Sequence, residues 1–313
     1  MIVLIDQNQT LTDYTDFPKL IFKNYRYLAI EQGRRKSIFQ MRQLKDIILK
    51  DIANLKNKQN ISDLEIFAFN DSTIQTQYLF QTLKPKSIYY MEDGSAPYNQ
   101  HFIKHSKFKQ LAVKILLGSN ASLPNILGTS RTITASILTF PDLSRAENNQ
   151  NARIQFETSP EKLEQTVALF SKHPRIQEIK TSHHTNKDAL ILLPPTHPGQ
   201  KEITKRIDDV VKNCVNRGMT VYLKKHPLSQ DQNSREQDIN IKIVPSSIPA
   251  EVIPFFAKQI SEIYSTPNTA LITYAYFHKS IQSFCITDRQ SIDNDRLTQN
   301  IIKLGSTALL SEE

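Results

Sequence analysis

Met219-Thr220-Val221-Tyr222-Leu223-Lys224-Lys225-His226-Pro227 is the stretch on which the reading of the fold turns. Val221, Tyr222 and Leu223 favour a pleated, buried strand, and Gly218 suits the end of a preceding helix. Pro227 has no N–H for a ladder and biases His226 away from helical angles, so the strand stops there. His226 therefore stands at the carboxyl end of a strand, the edge at which open α/β sheets hold their ligands. With Lys224 and Lys225 beside it, the position suits an anion such as a phosphate. Taken alone, Lys225-His226-Pro227 reads more readily as a surface loop.

Outward from this stretch the second half of the chain alternates strand and helix. Residues 189–193 are an apolar strand, 200–217 a helix with Ile203, Ile207, Val210, Val211 and Cys214 on one face, and 239–244 another strand. A helix over 249–258, a strand over 259–264, a helix over 268–277, a strand over 280–286 and a last helix near 294–304 follow. Residues 160–171 read as a helix with Ser159 as cap and Pro160 in the first turn. This is the pattern of a doubly wound α/β domain.

The first half is less regular. MIVLID suits a strand, but no helix follows at the usual distance. Residues 25–30 and 64–69 read as strands, 37–58 as an amphipathic helix capped by Ser37, and 73–83 as a helix. Residues 87–91 form the next strand, ending in Glu92-Asp93-Gly94-Ser95. Residues 101–117 read as a basic helix in which His101 and His105 are four apart. No third ligand lies nearby, so they read as surface histidines. Residues 135–140 suit a strand. The polar segment 141–159 is the expected boundary region, which divides the chain into domains 1–150 and 151–313.

The chain has 313 residues, 39% hydrophobic and 22% charged, enough for two domains with buried cores. No apolar run is long enough to span a bilayer, and the short MIVLID lacks the basic start of a signal peptide. A cytoplasmic protein is expected. Two cysteines, Cys214 and Cys285, fit a reducing compartment and no zinc site. The net charge is +8, and residues 1–157 hold 20 Lys/Arg against 14 Asp/Glu. That excess points to an anionic partner on the first half: nucleic acid, an acidic glycan or a membrane surface. Neither half carries a Gly-rich dinucleotide fingerprint or a P-loop.

Four polar groups fall at predicted strand or helix ends: Glu92-Asp93-Gly94, His226-Pro227, Glu251 in Ile248-Pro249-Ala250-Glu251, and Ser265-Thr266. The hydroxyls of Ser265 and Thr266, with the amides of the following helix, suit a phosphate. Glu251 is placed to accept hydrogen bonds from ribose hydroxyls. Glu92 and Asp93 belong to the other domain and are expected to face this site across a cleft, where a carboxylate can take a proton from a nucleophile.

As a set, Glu92-Asp93-Gly94, Lys225-His226-Pro227 and Ser265-Thr266 resemble the three signature motifs of bacterial sialyltransferases. Those motifs are shared by the lipooligosaccharide sialyltransferases of glycosyltransferase family 52 and the capsule polysialyltransferases of family 38. IPAEVI, residues 248–253, resembles the segment that carries the ribose-binding acid in that group. The resemblance covers about residues 90–275. It implies a GT-B fold of two Rossmann-like domains, with CMP-sialic acid bound by the second. It also implies an inverting transfer that needs no metal and no cofactor. By the same resemblance Glu92 is the general base, with Asp93 as the second choice and more often structural. His226 serves the departing phosphate, Ser265 and Thr266 bind it, Glu251 holds the ribose, and Lys225 helps hold CMP. Gly94 and Pro227 shape their turns.

The implied acceptor is an anionic or lipid-linked surface glycan. Peripheral association with the inner membrane is expected through Arg34, Arg35, Lys36, Lys104, Lys107 and Lys109, and an oligomer is left open. Three other readings stay open: a GT-B transferase using another donor such as CMP-Kdo, a non-enzymatic anionic-polymer binder, and an inactive family member. Nucleic acid is not the expected partner, because the chain has no Trp and no interleaving of aromatic and basic residues. The short opening segment leaves the acceptor side in doubt, with MIVLID open to being a remnant.

Overall fold

A computed structural model describes residues 2–7, 26–31, 50, 65–92, 96–98, 105–144, 152–157, 160–171, 176–177, 179, 187–194, 201–226, 240–244 and 248–310. The chain separates into two compact units, Met1–Glu157 and Thr158–Glu313.

The first unit is built on six parallel strands: β1 (Ile2–Gln7), β2 (Arg26–Glu31), β3 (Glu65–Ala68), β4 (Ser87–Met91), β5 (Ala135–Leu138) and β6 (Ala152–Gln155), in the order β2-β1-β3-β4-β5-β6. MIVLID contributes a strand, as expected. As β1 it is an interior strand, pairing with β2 along its whole length and with β3 at Ile2 and Val3. The expected helix over 37–58, with Arg34, Arg35 and Lys36 before it, lies outside the described residues apart from Lys50, which is helical and exposed.

Helix α1 (Ile74–Leu83) starts where the Thr73 hydroxyl accepts from the Thr76 amide. It packs Leu79 and Phe80 onto Ile66, Ala68, Ile88, Tyr90, Ile133 and Leu138. Helix α2 (Lys107–Leu117) begins at the Ser106 cap, so His105 precedes the helix, and His101 and Lys104 lie outside the described residues. Val113 and Leu117 of α2 pack with Ile74, Ala121 and Leu123.

Asp71, fully buried just beyond β3, holds the loop that leads into β5. Its carboxylate accepts from the Gly128 and Ser130 amides, both at 2.9 Å. Burial lifts its pKa to about 6, against the pull of those two amides. Gly128 has φ +80°, and a Cβ there would lie 2.6 Å from the Tyr90 ring, so the loop needs glycine at this point. The polar segment 141–159 is not only a connection. It contains a 3₁₀ turn at Pro141–Leu143 and the edge strand β6.

The second unit also has six parallel strands: β7 (Asp188–Leu192), β8 (Val221–Lys224), β9 (Ile241–Val244), β10 (Ile260–Ser265), β11 (Gln282–Thr287) and β12 (Thr307–Leu310). Their order is β12-β11-β10-β7-β8-β9. Helices α3 (Pro160–Phe170) and α4 (Lys201–Asn216) are followed by α5 (Ile253–Phe256), α6 (Thr269–Phe277), α7 (Arg289–Asn294) and α8 (Arg296–Lys303). Strands β7 and β8 are buried throughout, as parallel strands covered on both faces must be. Ile207, Val210, Val211 and Cys214 of α4 pack on Ala189, Ile191, Val221 and Leu223. Cys214 and Cys285 are both buried free thiols.

Two expectations shift. The helix over 249–258 is a 3₁₀ turn, Ala250–Val252, followed by the single-turn α5. It is cut short because β10 begins at Ile260. A twelfth strand follows the last helix.

Candidate active site

The second unit brings three of the expected groups to one edge of its sheet. The chain runs β7, β8, β9 outward and then returns to lay β10 on the other side of β7. The strand order therefore reverses between β7 and β10, the topological switch point at which open α/β sheets leave a crevice beyond their carboxyl ends. Leu192 pairs with Lys224 across β7 and β8, and Tyr264 pairs with Ile191 across β10 and β7. Ser265 and Lys224 thus stand at the same level, two strand spacings or roughly 10 Å apart. Thr266 and the Lys225–His226 pair leave the sheet at this edge. The strand ends are pinned by Leu193 N donating to Lys224 O at 2.9 Å and Lys225 N donating to Val244 O at 3.3 Å.

Ser265 is fully buried, and its Oγ accepts from Asn268 Nδ2 at 2.5 Å, whereas Thr266 is half-buried. Asn268 is the cap of α6, its Oδ1 accepting from the Leu271 amide at 3.2 Å. The Ser265 oxygen is thus supplied with one proton by Asn268, which leaves its own O–H for another acceptor. Neither Ser265 nor Thr266 is the helix cap. Asn268 was not singled out from the sequence, although an Asn directly after Ser-Thr-Pro is a recognisable start signal.

Glu251 lies in the 3₁₀ turn Ala250–Val252, held by the C-terminal part of α6. Tyr274 Oη donates to Ala250 O at 2.8 Å, and His278 Nε2 bonds Glu251 O at 2.8 Å. A carbonyl only accepts, so Nε2 carries the proton. Burial holds the His278 pKa down, against the pull of that carbonyl.

The Glu251 carboxyl is coupled electrostatically to Lys224, a residue the motif reading left aside for Lys225. Lys224 is 6% exposed, and its Nζ donates to Lys225 O at 2.7 Å. Burial depresses the Lys224 pKa to about 8, with Glu251 acting in the opposite direction. Burial raises the Glu251 carboxyl in turn, against its own backbone amide and Lys224. Desolvation exceeds the mutual attraction for both groups, so both are pushed toward their neutral forms. Lys225 and His226 are half-buried; Pro227 lies outside the described residues.

In the first unit, Glu92 follows the last residue of β4 and is tied to the neighbouring strand. Its amide donates to Ile137 O at 3.1 Å. Its Oε2 accepts from the Thr139 amide at 2.6 Å and from Tyr98 Oη at 2.5 Å. Tyr98 Oη also accepts from the Phe140 amide at 3.1 Å. Burial raises the Glu92 pKa, opposed by the donors from Thr139 and Tyr98. Raising a carboxylate's proton affinity toward the working pH makes it a stronger base while it stays ionised. The Thr139 amide and the Tyr98 hydroxyl both meet Oε2, and the Thr139 side chain adds a further hydrogen bond to the carboxylate.

Tyr98 and Thr139 were not expected. The first sits in a short 3₁₀ turn (Ala96–Tyr98) and the second one residue beyond β5, where no pattern marks either. Asp93 and Gly94 lie outside the described residues. Among the described residues no group of three or more His, Cys, Asp or Glu side chains is placed to hold a metal ion. None of their helices is long and apolar enough to cross a membrane.

These features agree with what known proteins show. The α/β-galactoside α-2,3-sialyltransferase of the luminous marine bacterium Photobacterium phosphoreum superposes with a TM-score of 0.58 at 12% identity, over 98% of this chain and 97% of that one. A 2,6-sialyltransferase of Photobacterium sp. JT-ISH-224, solved in a ternary complex with the donor product CMP and the acceptor lactose, gives 0.57 at 14% identity, over 90% of this chain and 66% of that one. The UDP-GlcNAc 2-epimerase of Methanocaldococcus jannaschii gives 0.54 at 10% identity, over 99% and 80%. At such identities the likeness shows the fold, GT-B, and that fold serves both transferases and epimerases. No curated protein matches the chain in sequence. The family model Glycosyltransferase family 52 matches residues 17–287, and of the two families its motifs resemble, the chain belongs to glycosyltransferase family 52.

Proposed function

We propose that this glycosyltransferase is an inverting sialyltransferase that moves sialic acid from CMP-sialic acid to a hydroxyl of a bacterial surface glycan, without a metal. The observation that carries the reading is the shared carboxyl edge of β10, β7 and β8. There Ser265–Thr266, the start of α6 and Lys224–His226 lie about two strand spacings apart at a topological switch point. That edge suits one phosphate bearing a nucleoside, and the ribose hydroxyls fall to Glu251. The sialyltransferase structure that holds CMP shares the fold.

In the proposed step the acceptor oxygen attacks the anomeric carbon, and the Glu92 carboxylate takes the acceptor's proton. The bond from the anomeric carbon to the phosphate oxygen breaks, and its electron pair leaves with CMP. Positive charge develops on the sugar ring and negative charge on the phosphate. His226 donates a proton or hydrogen bond to the leaving oxygen, and Ser265, Thr266 and the α6 amides receive the phosphate charge where it develops. Lys225 adds a cation. A monophosphate leaving group stabilised in this way needs no bridging cation, so turnover should persist in EDTA. The basic excess of the first unit fits an anionic acceptor, such as a phosphorylated lipid-linked oligosaccharide.

Calorimetric titration tests the donor assignment. CMP and CMP-sialic acid should bind the wild type with micromolar affinity and lose it in His226→Ala, while UMP should not compete. Preference for CMP-Kdo over CMP-sialic acid would replace the sugar, and no binding of any cytidine nucleotide would overturn the reading.

A further inference from the structure

Helix α6 serves the carboxyl edge of the second sheet twice. At its start the Asn268 side chain accepts from the Leu271 amide and donates to Ser265 Oγ at 2.5 Å. At its end it grips the turn Ala250–Val252. Tyr274 Oη donates to Ala250 O and His278 Nε2 donates to Glu251 O, both at 2.8 Å. That turn has only a short ladder of its own: Val252 N donates to Pro249 O at 3.3 Å and Ile253 N to Ala250 O. Its bearing therefore depends on the two side chains that hold its carbonyls. His278 is itself fixed from several sides. Its amide donates to Tyr274 O at 2.8 Å, and the Phe255 and Tyr274 ring centroids lie 4.7 and 4.9 Å from that of its imidazole. The ring is thus held in one orientation, and its Nε2–H sets where the Glu251 backbone sits. That backbone carries a half-buried carboxyl whose charge acts on Lys224, at the end of β8 beside His226. One nine-residue helix so connects the Ser265 oxygen with the Glu251 carboxyl.

We propose that His278 is a positioning residue for ribose recognition: it holds the Glu251 backbone so that the carboxyl meets the 2′- and 3′-hydroxyls of the donor. It acts through Glu251 and not by touching the nucleotide. This rests on the donor reading given above and adds to it the group that sets how sharply the ribose is read. A site built to hydrogen-bond a hydroxyl rejects the analogue that lacks it, because its own polar group is then left unpaired. The rejection requires the carboxylate to be in place, and a displacement of about 1 Å can cost on the order of a hundredfold. His278 therefore governs the preference for a nucleotide with ribose hydroxyls. The phosphate contacts at the other end of α6 do not depend on it.

The test is calorimetry on the full chain with CMP and 2′,3′-dideoxy-CMP as probes. Wild type should prefer CMP by about a hundredfold or more. In His278→Leu that preference should shrink about tenfold, while dideoxy-CMP binds as it does to wild type. His278→Gln keeps a donor nitrogen at similar reach and should restore most of the preference. Once Glu251→Ala has removed the carboxyl, adding His278→Leu should change CMP affinity no further. Should leucine prevent folding, as read by circular dichroism, His278→Asn takes its place, since its shorter amide falls short of Glu251 O. The proposal is overturned if the leucine or asparagine variant keeps the wild-type preference. It is also overturned if that variant loses CMP and dideoxy-CMP by the same factor, which would make His278 a support of the fold alone. Wild type that binds the two probes equally refutes the ribose role of Glu251, and wild type that binds neither refutes the donor reading. Either result takes this inference with it, whereas an unchanged preference in the variant refutes only the part given to His278.

Discussion

Replacing Tyr98 by phenylalanine removes one oxygen and tests the role given to Glu92. The Tyr98 hydroxyl donates to Glu92 Oε2 at 2.5 Å and accepts from the Phe140 amide at 3.1 Å. Burial already raises the Glu92 pKa, and the Tyr98 donor works against it. Without that donor the carboxylate loses a charge-assisted hydrogen bond worth about 1.5–3 kcal/mol. One pKa unit corresponds to about 1.4 kcal/mol, and the Thr139 amide stays in place, so the carboxyl should rise by roughly one unit. The proposed base works only when ionised. The acid limb of the pH profile of kcat/KM should therefore move upward by about one unit in Tyr98→Phe. The loss should be large on that limb and much smaller on the alkaline side. The assay is acceptor-dependent release of CMP from CMP-sialic acid, followed across pH in both proteins. An acid limb that stays in place, in a variant that melts like wild type, would refute the argument that Glu92 ionisation sets the rate.

Three further outcomes follow from the same groups. Glu92→Gln should lower kcat by about a hundredfold or more if it is the base. It should also raise the melting temperature at neutral pH. A carboxyl with a folded pKa above its unfolded value loses stability as pH rises through that interval, and glutamine avoids the loss. A variant less stable than wild type at pH 7 would count against the burial argument. Lys224 titrates at about 8 in the fold against 10.5 when unfolded, so the unfolded chain holds more protons between those values. Wild type should therefore gain stability relative to Lys224→Met as pH climbs from 8 toward 10, and a constant difference in melting temperature would contradict this. Gly128→Ala combines φ +80° with a Cβ 2.6 Å from the Tyr90 ring and 2.9 Å from Ser136 Oγ. Denaturant titration should show a loss of about 2–5 kcal/mol, and a loss under 1 kcal/mol would mean that the loop yields easily.

The elements that the sequence concealed share a physical feature. Strands β6 and β12 are at the outer edges of their sheets, and both their ends and, for β6, every residue stand exposed. An edge strand has one neighbour and no buried face to demand apolar residues, so Ala-Arg-Ile-Gln looks like loop. Interior strands such as β7 and β8 had to be largely apolar, and they were legible. The helix over 249–258 was misjudged because its apolar residues suited a helix. Its length was limited by where β10 begins.

The same division holds at the site. The residue types at the strand ends, Glu92, His226, Glu251, Ser265 and Thr266, were visible in the chain because turn chemistry and Pro227 mark where strands stop. Their supports were not. Tyr98, Thr139, Lys224 and Asn268 act on those residues through contacts across strands or around a turn, and periodicity carries no record of which side chain meets which.

By itself the sequence determined the alternation of strand and helix, because apolar period and Gly, Pro and Asn stops are local properties of the chain. It likewise determined which functional groups stand at strand ends. Only the tertiary structure decided that β10 returns to lie beside β7, which brings Ser265 level with Lys224. It also decided which apolar face of α2 is covered: Val113 and Leu117 have partners, while Phe108 and Ile115 face outward. Both decisions rest on contacts between segments far apart in the chain, and a helix with two apolar faces or a strand with two possible neighbours is locally identical in either arrangement.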